Sequence, residues 1–204
     1  MFFSIPPVTQ ALIVANFVVY LLEQIGEQFL VLHFALWPLS TGTYGMPAEI
    51  GFQPWQLITY SFLHGSPAHL FFNMLALYMF GSDLERVFGS RRYIAYYMAC
   101  VIAAAIAQLL VASMSIGPPY PTLGASGGVF GLLMAFALHF PRRTVVLIFP
   151  PIPMPAWLFV TLYGAAELFL GVTGTQAGVA HFAHLGGMLG GYVVLRYWRG
   201  RRRR

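Results

Sequence analysis

Residues 92–114 read RYIAYYMACVIAAAIAQLLVASM. After Arg92 the run carries no charged side chain, no Pro and no Gly. A helix rises 1.5 Å per residue, so about 20 such residues match the roughly 30 Å hydrocarbon core of a bilayer. A helix also satisfies its own backbone hydrogen bonds, which lipid cannot do for it. The run reads as a membrane span. Working outward, five more apolar stretches appear: Val8–Leu22, Trp55–Phe80, Ser126–Phe140, Ala156–Gly171 and Gly178–Trp198. The fourth and fifth in chain order are short and are expected to start inside the protein rather than at the lipid surface. The predicted class is all-α: one polytopic membrane domain, residues 1–204, with six transmembrane helices.

Composition excludes the soluble alternatives. The 204 residues are 58% hydrophobic and 8% charged, against about 25% charged in an ordinary soluble domain. So few charges cannot coat a water-exposed body of this size. The formal charge is +5, yet no basic face interleaved with stacking aromatics is visible, so nucleic acid is not expected as a partner. Cys100 is the single cysteine, which excludes an intrachain disulfide. The N-terminal MFFSIPPVTQ lacks the basic region and cleavage site of a signal peptide, so the first span is expected to be retained.

The eleven basic residues sort onto alternate connections. Arg86, Arg91 and Arg92 lie in loop 2–3, Arg142 and Arg143 in loop 4–5, and Arg196, Arg199 and Arg201 to Arg204 in the tail. Loops 1–2, 3–4 and 5–6 hold none. The positive-inside rule then places both termini in the cytoplasm and supports an even span count. The Arg tail is expected to anchor to anionic lipid. Loop 1–2, from Glu23 to Pro54, mixes Trp37, Tyr44 and Phe52 with Gly and Pro, and is expected to be a structured element at the outer face.

Ionisable groups inside spans are costly and therefore mark function. Three clusters stand out. His64, His69 and Asn73 lie in span two, with His69 and Asn73 four residues apart on one helical face. Gly124-Ala125-Ser126-Gly127-Gly128 sits where a Pro-rich outer loop enters span four. His181 and His184 open span six, followed by Gly186, Gly187, Gly190 and Gly191. A serine hydroxyl becomes a nucleophile when a base accepts its proton. Glycine lets two membrane helices approach closely, which would bring an imidazole to Ser126. His69, Asn73 and the Ser126 N–H at a helix N-terminus are the right donor types for a developing oxyanion.

These motifs resemble those of the rhomboid intramembrane proteases over about residues 50–195. Gly-Ala-Ser-Gly at 124–127 is similar to their GxSG motif. His64-(x4)-His69-(x3)-Asn73 resembles their second-span signature, and Ala183-His184-(x)-Gly186-Gly187 resembles their AHxGG. The resemblance implies a Ser–His dyad with no acidic third member, Ser126 as nucleophile and His184 as general base. It implies oxyanion stabilisation by His69 and Asn73 with backbone at Ser126 and its neighbour Gly124. No cofactor and no metal are implied. The substrate would be a transmembrane segment of another protein, cut near the outer face of a bacterial cytoplasmic membrane. Two positions depart from the family pattern. Trp55-Gln56 replaces its Trp-Arg, so Glu85, the usual partner of that Arg, is free to pair with Arg86, Arg91 or Arg92. Phe130 stands where an aromatic stacks on the catalytic histidine.

Other readings of the same residues are simpler. Ser126 is equally a helix N-cap type. His64 and His181 read as structural supports and His139 as interfacial. Glu167 in span five is a third catalytic member, a gate residue or a partly solvated group near loop 5–6. The histidines together would also suit haem or a metal, although no HExxH or cysteine cluster accompanies them. A transporter would show an inverted repeat, which the sequence does not. An inactive, rhomboid-like binding protein would retain the fold without needing the Ser126–His184 pair.

Overall fold

The computed structural model describes residues 4–39, 51–114, 118–147, 150–174 and 180–201. Tyr44 and the rest of 40–50, the first residues of loop 3–4, Gly178 and Arg202 to Arg204 lie outside the described residues. The chain is mostly helical: α1 (Pro7–Phe34), α2 (Gln56–Thr59), α3 (Pro67–Ala76), α4 (Ser82–Phe88), α5 (Ser90–Met114), α6 (Ser126–His139), α7 (Ala156–Thr173) and α8 (His181–Arg201). A π-helical segment, Leu77–Gly81, joins α3 to α4. By length and composition, α1, α5 and α7 are each able to cross a membrane, and α6 is a shorter apolar helix.

Three expectations need correcting. Residues Glu23 to Phe34 are not loop: α1 continues through them, past a break in helical geometry at Gly26. Their polar side chains hide the helix from an apolar-run reading, and buried Glu23 is satisfied by a tertiary contact, the N–H of His64 at 3.1 Å to both carboxylate oxygens. The fold is also not purely helical. Strands β1 (Thr144–Val146) and β2 (Pro153–Pro155) form a small antiparallel hairpin between α6 and α7. Proline at both ends of β2 is tolerated on a two-stranded edge. Finally, of the two short spans, α6 is the internal one, with ten of its residues buried. Helix α7 is peripheral and exposes Leu162, Leu168, Phe169 and Val172.

The centre of the bundle is α5, α6 and α8. Glycine permits the close packing. A Cβ on Gly186 or Gly190 would collide with Ala107 or Ala103 of α5. A Cβ on Gly187 would fall on the backbone carbonyl of Gly127 in α6. The Tyr60 hydroxyl donates to the Val101 carbonyl at 2.8 Å, and the Tyr96 hydroxyl to the Gly131 carbonyl at 2.7 Å.

Two buried polar side chains, Gln56 and Glu85, are matched to backbone groups. Gln56, fully buried, accepts from the N–H groups of Trp37 and Gln53 and donates to the His33 carbonyl. A neutral amide thus holds loop 1–2 where the resembled pattern has an Arg. Glu85 does not pair with Arg86, Arg91 or Arg92. Its carboxylate accepts from the Val8 and Thr9 N–H groups at 3.0 and 2.7 Å, the Thr9 hydroxyl at 2.8 Å and the Ser90 hydroxyl at 2.7 Å. It caps the N-terminus of α1, whose first N–H groups have no partner within the helix. Asp83 takes Arg143 at 2.8 Å. The start of α1, the end of α4, the loop after α6 and Trp198 of α8, packed on Phe88, therefore meet at one end of the bundle.

Burial opposes ionisation of Glu85, but the four hydrogen bonds outweigh it and hold its carboxyl below the usual range. The stability it contributes is present above the ordinary carboxylate pKa of about 4.3 and is lost as pH falls through the lower folded-state value. Glu85→Gln is expected to cost about 1–3 kcal/mol at neutral pH. Thermal unfolding in detergent measures this, and the gap from wild type should close as the buffer is acidified.

Candidate active site

Ser126 is the first residue of α6, and Ala125 occupies the position before it without a side-chain cap. The Ser126 hydroxyl is engaged elsewhere, 2.7 Å from His184 Nε2, so it is not the helix cap. The loop delivering it is fixed from two sides. Leu36 and Thr122 exchange two backbone hydrogen bonds of 2.9 Å, and the Gly124 N–H donates to the Tyr60 carbonyl at 2.9 Å. The extended loop 1–2 strand thus steadies the entry to α6.

His184 reaches Ser126 because Gly187, three residues on, lies against Gly127, the residue after the serine. Its ring is held on every side. Phe130 stacks on it with centroids 4.3 Å apart and an interplanar angle of 5°. Its Nδ1 lies 2.9 Å from Glu167 Oε2, and His181 Nδ1 approaches the same oxygen at 2.7 Å. Glu167, His181 and His184 are all buried. Their donor atoms lie within 4.8 Å of one another, a set that could also hold a metal ion.

His69 and Asn73 of α3 line the same cavity as Ser126 and His184. Ser66 caps α3 by accepting from the His69 N–H at 3.1 Å. The Asn73 amide donates to the His69 carbonyl at 3.0 Å, leaving its second N–H for the cavity. His64 stands beside His69, rings 5.0 Å apart, with its backbone pinned by Glu23. His139 lies at the opposite end of α6 against Phe88. Gly124 has φ +124°, and a Cβ there would come within 2.8 Å of His69 Nε2.

The cavity holds about 810 Å³ and runs from Gly124 and Ser126 to Val145 on β1, between α3 on one side and α7 on the other. Its walls are mostly apolar, with Phe72, Phe80, Phe159 and Tyr163 among them. The polar groups cluster at the Ser126 end. The site can therefore offer a hydroxyl, a base on it and nearby donors, beside a long apolar trough. Sequence reasoning missed Glu23 and left Glu167 open. The signal for Glu167 was a lone carboxylate in an apolar helix; what it lacked was the register of α7 on α8.

The residues from 51 to 201 match the rhomboid domain, and the chain belongs to the rhomboid family. It is a helical membrane protein of that family. It is 32% identical over 141 residues to rhomboid protease GluP of Bacillus subtilis, covering 69% of this chain and 25% of the relative. It is 33% identical over 138 residues to the mitochondrial rhomboid protein 1 of Saccharomyces cerevisiae, covering 67% and 40%. A longer match, 27% over 202 residues, is to rhomboid protease GlpG of Serratia proteamaculans, covering 97% of this chain and 64% of the relative.

Gly124→Ala tests the geometry around His69. The substitution combines an unfavourable backbone conformation with a Cβ against the imidazole. It is expected to displace the His69 ring and to slow labelling of Ser126 by a fluorophosphonate about 10²-fold, the scale of cost of a roughly 1 Å misplacement at a reacting centre. The rate of adduct formation measures it.

Proposed function

We propose that this chain is an intramembrane serine protease that cleaves transmembrane segments of other membrane proteins. The observation that carries the reading is the 2.7 Å contact of Ser126 Oγ with His184 Nε2 at the polar end of an apolar cavity. Ser126 Oγ attacks a peptide carbonyl while His184 Nε2 takes its proton. The developing oxyanion is held by His69, Asn73 and the N–H of Ser126 at the start of α6, with Gly124 keeping the space open. The leaving amine takes the proton back from His184, and water then hydrolyses the acyl-enzyme by the same route. Phe130 keeps the imidazole plane fixed, and His64 and His181 support the two histidines that act.

The membrane setting we propose rests on the apolar helices and on the placement of the arginines. Helices α1, α3 with the π-helical segment after it, α5, α6, α7 and α8 serve as six spans, with the Arg-bearing end in the cytoplasm of a bacterial cell and Ser126 toward the outer face. An apolar trough between α3 and α7 suits an unwound apolar segment entering from the bilayer. Hydrolysis of the acyl-enzyme requires water to reach the polar end. No cofactor takes part.

Cleavage of a model transmembrane substrate in proteoliposomes tests the reading. Ser126→Ala and His184→Ala should each lower kcat by about 10³-fold or more. Cleavage by Ser126→Ala at the wild-type rate would overturn it. A chelator should leave the rate unchanged, whereas loss of activity on chelation would favour a metal held by Glu167, His181 and His184.

A further inference from the structure

Glu167 lies within α7, between Ala166 and Leu168, and is the one charged residue of that helix. A buried carboxylate there is costly unless donors meet it. Two do, and both reach the same oxygen: His181 Nδ1 at 2.7 Å and His184 Nδ1 at 2.9 Å from Oε2. The two imidazoles sit three residues apart on α8 with their planes at 88°, which lets both Nδ1 atoms converge on one acceptor. The other nitrogen of His184 faces the Ser126 hydroxyl. The three groups form one chain, from Ser126 through His184 to Glu167.

We infer that Glu167 is a positioning residue for acyl transfer, so that this protein works with a Ser126–His184–Glu167 triad rather than a two-member dyad, and that His181 holds the carboxylate in register. The inference rests on the protease reading above. A neutral imidazole carries its proton on one nitrogen or the other, and only the Nδ1–H tautomer leaves Nε2 able to accept the serine proton. An ionised carboxylate only accepts hydrogen bonds, so beside Nδ1 it selects that tautomer. As Ser126 Oγ bonds to the carbonyl carbon, the carbonyl π pair moves onto oxygen and the hydroxyl proton moves to Nε2. The imidazolium that forms keeps its Nδ1–H on Glu167, which stays ionised and opposes the new positive charge. Collapse of the intermediate breaks the C–N bond, and the departing amine takes the proton from Nε2. Phe130 fixes the ring plane from α6. The titratable groups facing His184 are Ser126 from α6, Glu167 and Tyr163 from α7, His69 from α3 and His181 on its own helix.

The test uses the full chain in proteoliposomes, with Glu167→Gln and Glu167→Asp. The Gln variant keeps size and one acceptor but loses the charge. It is expected to lower kcat about 10²–10⁴-fold, the range found when the acid of a serine-protease triad is neutralised or removed, with KM changed by less than about threefold. Asp should recover at least about tenfold over Gln by restoring charge on a shorter arm. A wild-type kcat in Glu167→Gln would overturn the inference, even if the variant unfolds more easily. Nitrogen NMR of the wild type, with labelled histidine, needs no variant to fold: neutral His184 should carry its proton on Nδ1, and a proton on Nε2 would overturn the inference. Full activity of Ser126→Ala would instead remove the protease reading itself. An essential Ser126 with a silent Glu167 would remove only the triad.

Discussion

The approach of α8 to α6 at Gly187 and Gly127 is the contact on which the rest of the molecule depends. In lipid, no hydrophobic force draws apolar helices together, so close dispersion packing has to hold them. Gly187 has no side chain to keep it off the Gly127 carbonyl. That contact sets the register of α8, and the register carries His184 to the serine one residue before Gly127. The neighbouring pair, Gly186 and Gly190, seats the adjoining face of α8 on the alanines of α5. The glycines after the histidine therefore serve two interfaces from one helix.

Around this core, buried polar side chains are used as ties to the backbone. Glu85 closes the start of α1, Gln56 ties a carbonyl of α1 to two N–H groups of loop 1–2, and Glu23 binds the His64 N–H beside the cavity. Each tie is worth more in a low-dielectric interior, where the alternative is an unsatisfied group. Their effect reaches the candidate site through the chain. Glu23 and Ser66 position the segment bearing His69, while the Leu36–Thr122 pair positions the loop bearing Ser126. The cavity then joins a rigid polar end to apolar walls, one of which is the peripheral helix α7.

Much of this is legible in the sequence. Apolar runs mark the helical columns because lipid imposes length and composition together, and the short reach of α6 follows from its fourteen residues. Ser126, His184, His69 and Asn73 stand out because polar groups in such runs are rare. What escapes the sequence is set by tertiary partners. The second half of α1 carries Glu23, Gln24, Glu27 and Gln28, which read as a loop until the packing of Glu23 on His64 is known. Glu85 invites pairing with the nearby arginines, but the orphan N–H groups of α1, 76 and 77 residues away, take it instead. The single oxygen shared by His181 and His184 depends on how α7 lies against α8, which no local pattern encodes.

The central claim is that His184 makes the Ser126 hydroxyl a nucleophile inside the membrane. The most direct measurement is intact-mass and peptide analysis of the detergent-solubilised protein after reaction with a fluorophosphonate. The account predicts one adduct per chain, on Ser126, and none when His184 is replaced by Ala. An adduct on another residue, or one on Ser126 that forms as fast without His184, would contradict it.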